Sequence, residues 1–196
     1  MLELLTDRPL RPHPAGAAGA LSGISASCAL APGGRVALEF VLHGHWQALE
    51  PPRDAQLQGA LRAGQRRDAL WRHTCLELFL GRIDAAPGYL ELNFALNGEW
   101  AAYEFDGYRS GQRELEASAP EVHSMAQPGA LRVRAGLTVP WLQAWQAGAT
   151  AWRLNLAAVI EARAGQLTYW CLQHGKPQPD FHDPAGFALA RLAADH

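Results

Sequence analysis

The stretch from Leu70 to Arg109 constrains the fold most, because apolar residues recur at every second position through successive runs. A period of two places alternate side chains on opposite faces of a strand. In His73 to Leu80, Thr74, Leu76, Leu78 and Leu80 share one face; His73, Cys75, Glu77 and Phe79 share the other. In Tyr89 to Leu96, Leu90, Leu92, Phe94 and Leu96 oppose Tyr89, Glu91, Asn93 and Ala95. In a third run, beginning near Trp100, Tyr103 and Phe105 oppose Ala102, Glu104 and Asp106. Asn97-Gly98 separates the last two runs, and both residues tolerate the positive φ of a tight hairpin. The pattern predicts an antiparallel meander with one apolar and one polar-aromatic face.

The same alternation recurs along the chain. Ile24 to Leu30 and Arg35 to His43 read as strands around Pro32-Gly33-Gly34. Leu131 to Val139 is a strand ended by Pro140, Trp141 to Gln146 suits one helical turn, and Trp152 to Glu161 is a further strand. Leu167 to His174 returns after the Ala164-Gly165 turn, and Phe187 to Leu192 closes the chain. Met1 to Leu5 suits an edge strand that leads into loop. Residues 44–67 read as a long loop, and 110–129 as polar and weakly patterned. Eight to ten strands with little helix predict an antiparallel β-sandwich. The expected inter-sheet core is Leu76, Leu78, Leu90, Leu92, Phe94, Phe105, Leu154, Leu156 and Ile160.

Composition narrows the function classes. At 196 residues the chain suits one domain, 1–196, with residues 1–22 partly irregular. A net charge of −2 gives no electrostatic reason to expect nucleic acid. Lys176 is the single lysine, so any lysine chemistry must use it. Three cysteines without framework spacing predict reduced thiols. With no apolar leader and no 18-residue apolar run, the expectation is a cytoplasmic protein that does not enter a membrane.

Four strings, LWRHTCLELFL, YLELNFALNGEWAAYEFDGYRSG, LNLAAVIE and YWCLQHGKPQPDFH, together with LTVPWLQAW, resemble bacterial DOMON-like domain proteins, relatives of the family 9 carbohydrate-binding modules. The resemblance runs from about Leu70 to the C-terminus. It implies an all-β, antiparallel sandwich of the DOMON-like or immunoglobulin-like two-sheet kind, with long loops and little helix, binding a small ligand on one sheet face. The wider superfamily holds sugar binders and haem binders. The haem binders use Met and His as axial ligands; the one internal methionine here, Met125, lies in an irregular polar segment, which disfavours haem. No cofactor is expected.

The polar strand faces gather into a candidate site. Glu77, Glu91, Asn93, Asn155 and Glu161 would line one face if their strands are neighbours. Planar amide and carboxylate groups can pair with sugar hydroxyls, while aromatic rings stack on apolar sugar faces. Trp71, Trp100, Tyr103, Tyr108 and Trp170 are the candidate platforms. Glu77 and Glu91 lie on consecutive strands; if directly opposed, their Cβ atoms would be about 5 Å apart. That pair suits a carboxylate–arginine network, two ligands for a hard cation, or the carboxylates of a retaining glycosidase. Arg109 and Arg72 are available counter-ions, and Arg109 is expected to hold the carboxylates ionised. Arg62, Arg66, Arg67 and Arg72 form a basic cluster that suits a solvated surface or an anion contact. His73, Cys75, Cys171, His174 and His182 invite zinc but lack paired ligand spacing. The Pro-stiffened loop after His174 presents Lys176, Asp180 and His182, and these three, with His73 and His174, are expected to join the ligand contacts. The reading is a non-enzymatic domain for a small polar ligand, with a sugar as the best candidate, chiefly from the resemblance. A glycoside-acting enzyme using Glu77 and Glu91 and a protein-interaction scaffold are the alternatives.

Overall fold

The computed structural model describes residues 2–16, 19–50, 62–84, 88–146 and 151–191. Thirteen strands and one short helix follow one another there. They are β1 (Leu2–Pro12), β2 (Leu21–Ala31), β3 (Arg35–Gly44), β4 (Arg62–Ala63), β5 (Cys75–Arg82), β6 (Tyr89–Ala95) and β7 (Trp100–Phe105). Then come β8 (Arg113–Glu114), β9 (Glu121–Gln127), β10 (Ala130–Thr138), α1 (Pro140–Gln146), β11 (Ala151–Glu161), β12 (Leu167–Cys171) and β13 (Ala188–Arg191). Every strand-to-strand pairing is antiparallel. Among the described residues, no helix is long and apolar enough to cross a membrane.

The strands form two sheets that share β1. The first runs β4-β9-β10-β3-β2-β1, and the second β1-β12-β11-β5-β6-β7-β8, with β13 also paired to β11. Leu2 to Leu10 of β1 pair with β2, whereas Arg11 and Pro12 pair with Cys171 and Trp170 of β12. Two register shifts and a positive φ of 42° at Asp7 interrupt the ladder with β2 ahead of that change of partner. The expectation of an N-terminal edge strand followed by loop is therefore corrected. β1 is an interior strand, because both of its sides find partners.

The antiparallel β-sandwich predicted from alternation is the fold observed. Leu76, Leu78 and Leu80 of β5, Leu90, Leu92 and Phe94 of β6, and Leu154, Leu156 and Ile160 of β11 are all buried between the sheets. They pack in one cluster with Ile24, Leu30, Phe40, Leu42, Leu131 and Val133 of the first sheet. The hairpin at Asn97-Gly98 forms as expected: Gly98 has φ 89°, and Ala95 N–H donates to Glu99 O at 2.8 Å. The helical turn expected at Trp141 is α1.

Other expectations are corrected. Phe105 is not inter-sheet core; it belongs with Phe79, Tyr89 and Tyr103 to a second buried cluster on the outer face of the second sheet. The third run keeps its alternation, and Tyr103 and Phe105 do share a face, but that face is the polar-aromatic one. Residues 110–129 contain two strands, β8 and β9. The 44–67 loop begins with a short helical turn, Trp46–Ala48, and ends in β4. Its middle, 51–61 with Pro51 and Pro52, lies outside the described residues, as do Met1, Pro87 and Leu192.

Candidate functional site

The outer face of the second sheet is covered, not open to water. β6 is buried at every position, so both of its faces are packed. The cover is the irregular segment 174–187. Gly175 lets the segment fold tightly on itself, since a Cβ there would meet Asp183 Oδ2 at 2.5 Å, and Gly186 lies close to Asn155, whose Nδ2 a Cβ there would meet at 3.6 Å. Asn155 fastens it from below: its Nδ2 donates to Phe181 O at 3.1 Å, and its Oδ1 accepts from Leu172 N–H at 3.3 Å. Phe181 packs against Phe79 and Tyr169.

A cavity of 350 Å³ remains between sheet and cover. Its floor is Glu77 and Phe79 of β5, Glu91 of β6, Phe105 of β7, Val159 of β11 and Tyr169 of β12. Its walls are Trp71 from the turn Leu70–Arg72, Arg109 and Gln112 from the β7–β8 connection, and Pro179, Phe181 and His182 from the cover. Five residues marked from sequence thus meet here: Trp71, Glu77, Glu91, Arg109 and His182. Alternation brings Phe79 onto the face of Glu77, so it was legible. Gln112 and Pro179 lie in irregular chain, where no periodic signal reaches.

Glu77 and Glu91 are not directly opposed. Glu77 pairs across the strands with Asn93, and Glu91 with Phe79, so the carboxyl-bearing residues are diagonal neighbours. Both are almost fully buried. Asn93 Nδ2 donates to Glu91 Oε1 at 2.7 Å, whereas Glu77 Oε1 finds no partner among the described residues. Burial raises the pKa of Glu77 well above the carboxylate range, and the nearby Glu91 adds to the rise. Burial pushes Glu91 up to about 7, against the Asn93 hydrogen bond and the charge of Arg109. The expectation that Arg109 keeps both ionised is therefore corrected. Its charge acts in that direction but loses to desolvation, and its guanidinium is engaged by Asp180 at 2.9 Å. His182 is pushed down to about 4 by burial and by Arg109. Its Nε2 lies 3.7 Å from Glu91 Oε2, so near neutral pH this contact is not a full ion pair.

Asp180 anchors the rim. Its carboxylate accepts from Lys176 Nζ at 2.7 Å, Tyr108 OH at 2.6 Å, Arg109 at 2.9 Å and the His182 N–H at 3.2 Å. Burial favours its neutral form, but hydrogen bonds from Lys176, Tyr108 and Arg109 outweigh it and hold the carboxyl below its usual range. Neither Lys176 nor Asp180 lines the cavity.

The remaining marked residues lie elsewhere. Trp100 and Trp170 are corrected to inter-sheet core: their strand positions face inward, and their indole N–H groups donate to Gly64 O at 3.1 Å and Thr168 Oγ1 at 3.0 Å. Asn155 is fully buried and serves the cover. Asn93, expected at an exposed position, is fully buried behind Glu91. Tyr103 lies on the correct face, but its hydroxyl donates to Asp68 Oδ1 at 2.5 Å and it does not line the cavity. His73 and Glu161 pair at 2.7 Å beside a different hollow, of 470 Å³, at the end of the sheet. His174 packs beside Cys171 and reaches Arg11 O at 2.9 Å. Arg66 lies 4.5 Å over the Trp100 ring and donates to Leu115 O at 2.6 Å, so it is engaged in packing.

Another hollow of 470 Å³ lies on the first sheet, but its Glu39 is paired with Arg134, and its Arg35 with Glu121. The 350 Å³ cavity is distinguished by its buried carboxyl groups, one with an unpartnered oxygen. Among the described residues no three His, Cys, Asp or Glu side chains converge as metal ligands do. Met125 is half-exposed on β9, in the other sheet.

No family model and no curated protein matches the sequence. Solved structures do. A Bacteroides uniformis protein described as a "putative carbohydrate-binding protein" aligns over 94% of this chain and 85% of its own, with a TM-score of 0.60 and 14% identity. A family 9 carbohydrate-binding module from Caldicellulosiruptor kristjanssonii, in complex with cellotriose, aligns over 100% of this chain and 90% of its own, with a TM-score of 0.49 and 9% identity. The first alignment is a likeness of fold.

Proposed function

We propose that the protein is a non-enzymatic binding domain, DOMON-like and spanning residues 1–196, for a small uncharged polar ligand, with a carbohydrate as the preferred class. The observation that carries this reading is the covered cavity in which aromatic rings surround two buried carboxyl groups. Sites for small ligands are concave and mostly apolar, with a few placed polar groups that fix orientation. Trp71, Phe105 and Tyr169 supply ring surface; Gln112, His182, Glu77 and Glu91 supply hydrogen-bonding groups. A neutral carboxyl group both donates and accepts, which suits a hydroxyl that does the same. The Bacteroides uniformis relative in fold carries a description of the same class. Three buried free cysteines suit a reducing compartment, which supports a cytoplasmic location as part of this reading.

Calorimetry against neutral monosaccharides and short oligosaccharides tests the reading. Binding of at least one sugar is expected, weakened about tenfold or more in Phe105→Ala, as loss of a stacking platform implies. Absence of binding across the panel would refute the carbohydrate class. Release of a hydrolysed product from a bound glycoside would replace the binder with an enzyme acting through Glu77 and Glu91.

A further inference from the structure

We propose that Tyr89 and Asp180 are positioning residues, whose closed ring of hydrogen bonds fixes His182 with its Nε2–H presented to the cavity as a hydrogen-bond donor for the ligand. The ligand in this statement rests on the reading of the cavity as a binding site; the ring and the tautomer do not.

The buried hydroxyl of Tyr89 starts the argument. Its oxygen accepts from Arg109 N–H at 3.3 Å and lies 2.7 Å from His182 Nδ1. A buried hydroxyl needs an acceptor for its one proton. With Arg109 N–H donating to the oxygen, the Tyr89 proton points at Nδ1. If Nδ1 carried a proton instead, the phenol would accept twice, and its own proton would have no acceptor among the described residues. Nδ1 as acceptor places the single proton of a neutral imidazole on Nε2. Burial and the charge of Arg109 keep that imidazole neutral, with its pKa at about 4. Nε2 stands 3.7 Å from Glu91 Oε2, beyond hydrogen-bond reach. The donor is thus left for an oxygen atom in the cavity.

Asp180 closes the ring. Its Oδ1 accepts both from the Arg109 guanidinium at 2.9 Å and from the His182 backbone N–H at 3.2 Å. One carboxylate oxygen therefore holds the residue at each end of the Tyr89 contact. Lys176 and Tyr108 fix its other oxygen. Arg109 has φ 51°, a conformation that persists where surrounding contacts over-determine it. The His182 ring is caged edge-on by Phe79 at 5.0 Å and Phe105 at 5.2 Å, which opposes a ring flip. Lys176 and Asp180, marked from sequence as ligand contacts, thus act one step behind the contact.

Long-range nitrogen–proton NMR of histidine-labelled protein tests this without any ligand, with His182 assigned through His182→Gln. The wild type should show Nδ1 unprotonated and Nε2 protonated, unchanged from about pH 5 to about pH 8. Tyr89→Phe should mix the two tautomers, and Asp180→Asn should do so with the fold retained by circular dichroism. An Nδ1–H tautomer or an imidazolium in the wild type at neutral pH overturns the proposal, and this readout needs no variant to fold. A folded Tyr89→Phe or Asp180→Asn that keeps one pure Nε2–H tautomer removes that residue from the ring. Cellotriose is then added to the wild type. A shift of the His182 Nε2–H resonance supports its role as donor. Lack of any shift counts against this sugar as ligand and leaves the tautomer result standing.

Discussion

Glu91→Gln should change how stability depends on pH, by an amount set by the burial of the carboxyl group. Glu91 is 4% exposed, and its pKa moves from an ordinary value of 4.5 to about 7. That difference corresponds to about 3 kcal/mol in favour of the protonated folded state. Between these two pH values the folded chain keeps a proton that the unfolded chain has released. The stabilisation is therefore complete below 4.5, falls as pH rises, and is gone above about 7. His182 acts in the opposite sense over nearly the same window. With its pKa lowered from 6.5 to about 4, its contribution is present above 6.5 and lost as pH falls toward 4. The two slopes oppose one another, so the wild-type profile alone is uninformative. Glutamine keeps the acceptor for Asn93 Nδ2 and cannot ionise. Urea denaturation at matched pH values should show the variant gaining on the wild type by about 3 kcal/mol between pH 4.5 and neutrality. A difference that stays constant over that range, within roughly 0.5 kcal/mol, would mean that Glu91 ionises as it does in water.

Leu92→Ala, fully buried between the sheets, should cost about 2–5 kcal/mol in chemical denaturation; an unchanged midpoint would show the strand faces assigned backwards. Asn93→Ala removes the hydrogen bond that lowers the Glu91 pKa, so carboxyl-carbon NMR should find Glu91 titrating at higher pH than in the wild type. Burial raises the thiol pKa values of Cys28 and Cys171 to about 12 and that of Cys75 well above its usual value. An aromatic disulfide reagent should therefore leave all three unmodified in native buffer and label them after denaturation.

The alternation that predicts the sandwich also separates two buried layers on one set of strands. Leu90, Leu92 and Phe94 face the other sheet, while Tyr89, Glu91 and Asn93 face the cover. Period two identifies which residues share a face but not what lies over it. The polar face therefore reads as exposed until the 174–187 segment is seen upon it. Glu77 and Glu91 were legible because carboxyl groups on a strand face stand out. Trp100 and Trp170 misled because an indole at a strand end suits a stacking platform and a core position equally well; their neighbours across the sheet, Phe94 and Ala158, decide it. The roles of Tyr89 and Asp180 depend on contacts between distant segments. The hydroxyl of Tyr89 meets a histidine 93 residues away, and no local pattern encodes that.

Because β1 belongs to both sheets, the order in which the chain is synthesised matters to how it folds. Arg11 pairs with Cys171, so β1 finds its second partner only after all the strands between them have been made. Such pairing carries a large loop-closure cost and makes for slow folding. The edge of β12 would stay unpaired until β1 reaches it, a state prone to association with other chains. A circular permutant of residues 1–196 opened within residues 51–61 would bring β12 and β13 just ahead of β1 across the new junction, shortening that closure. Faster refolding of that permutant, with the same final structure, is the outcome this topology implies.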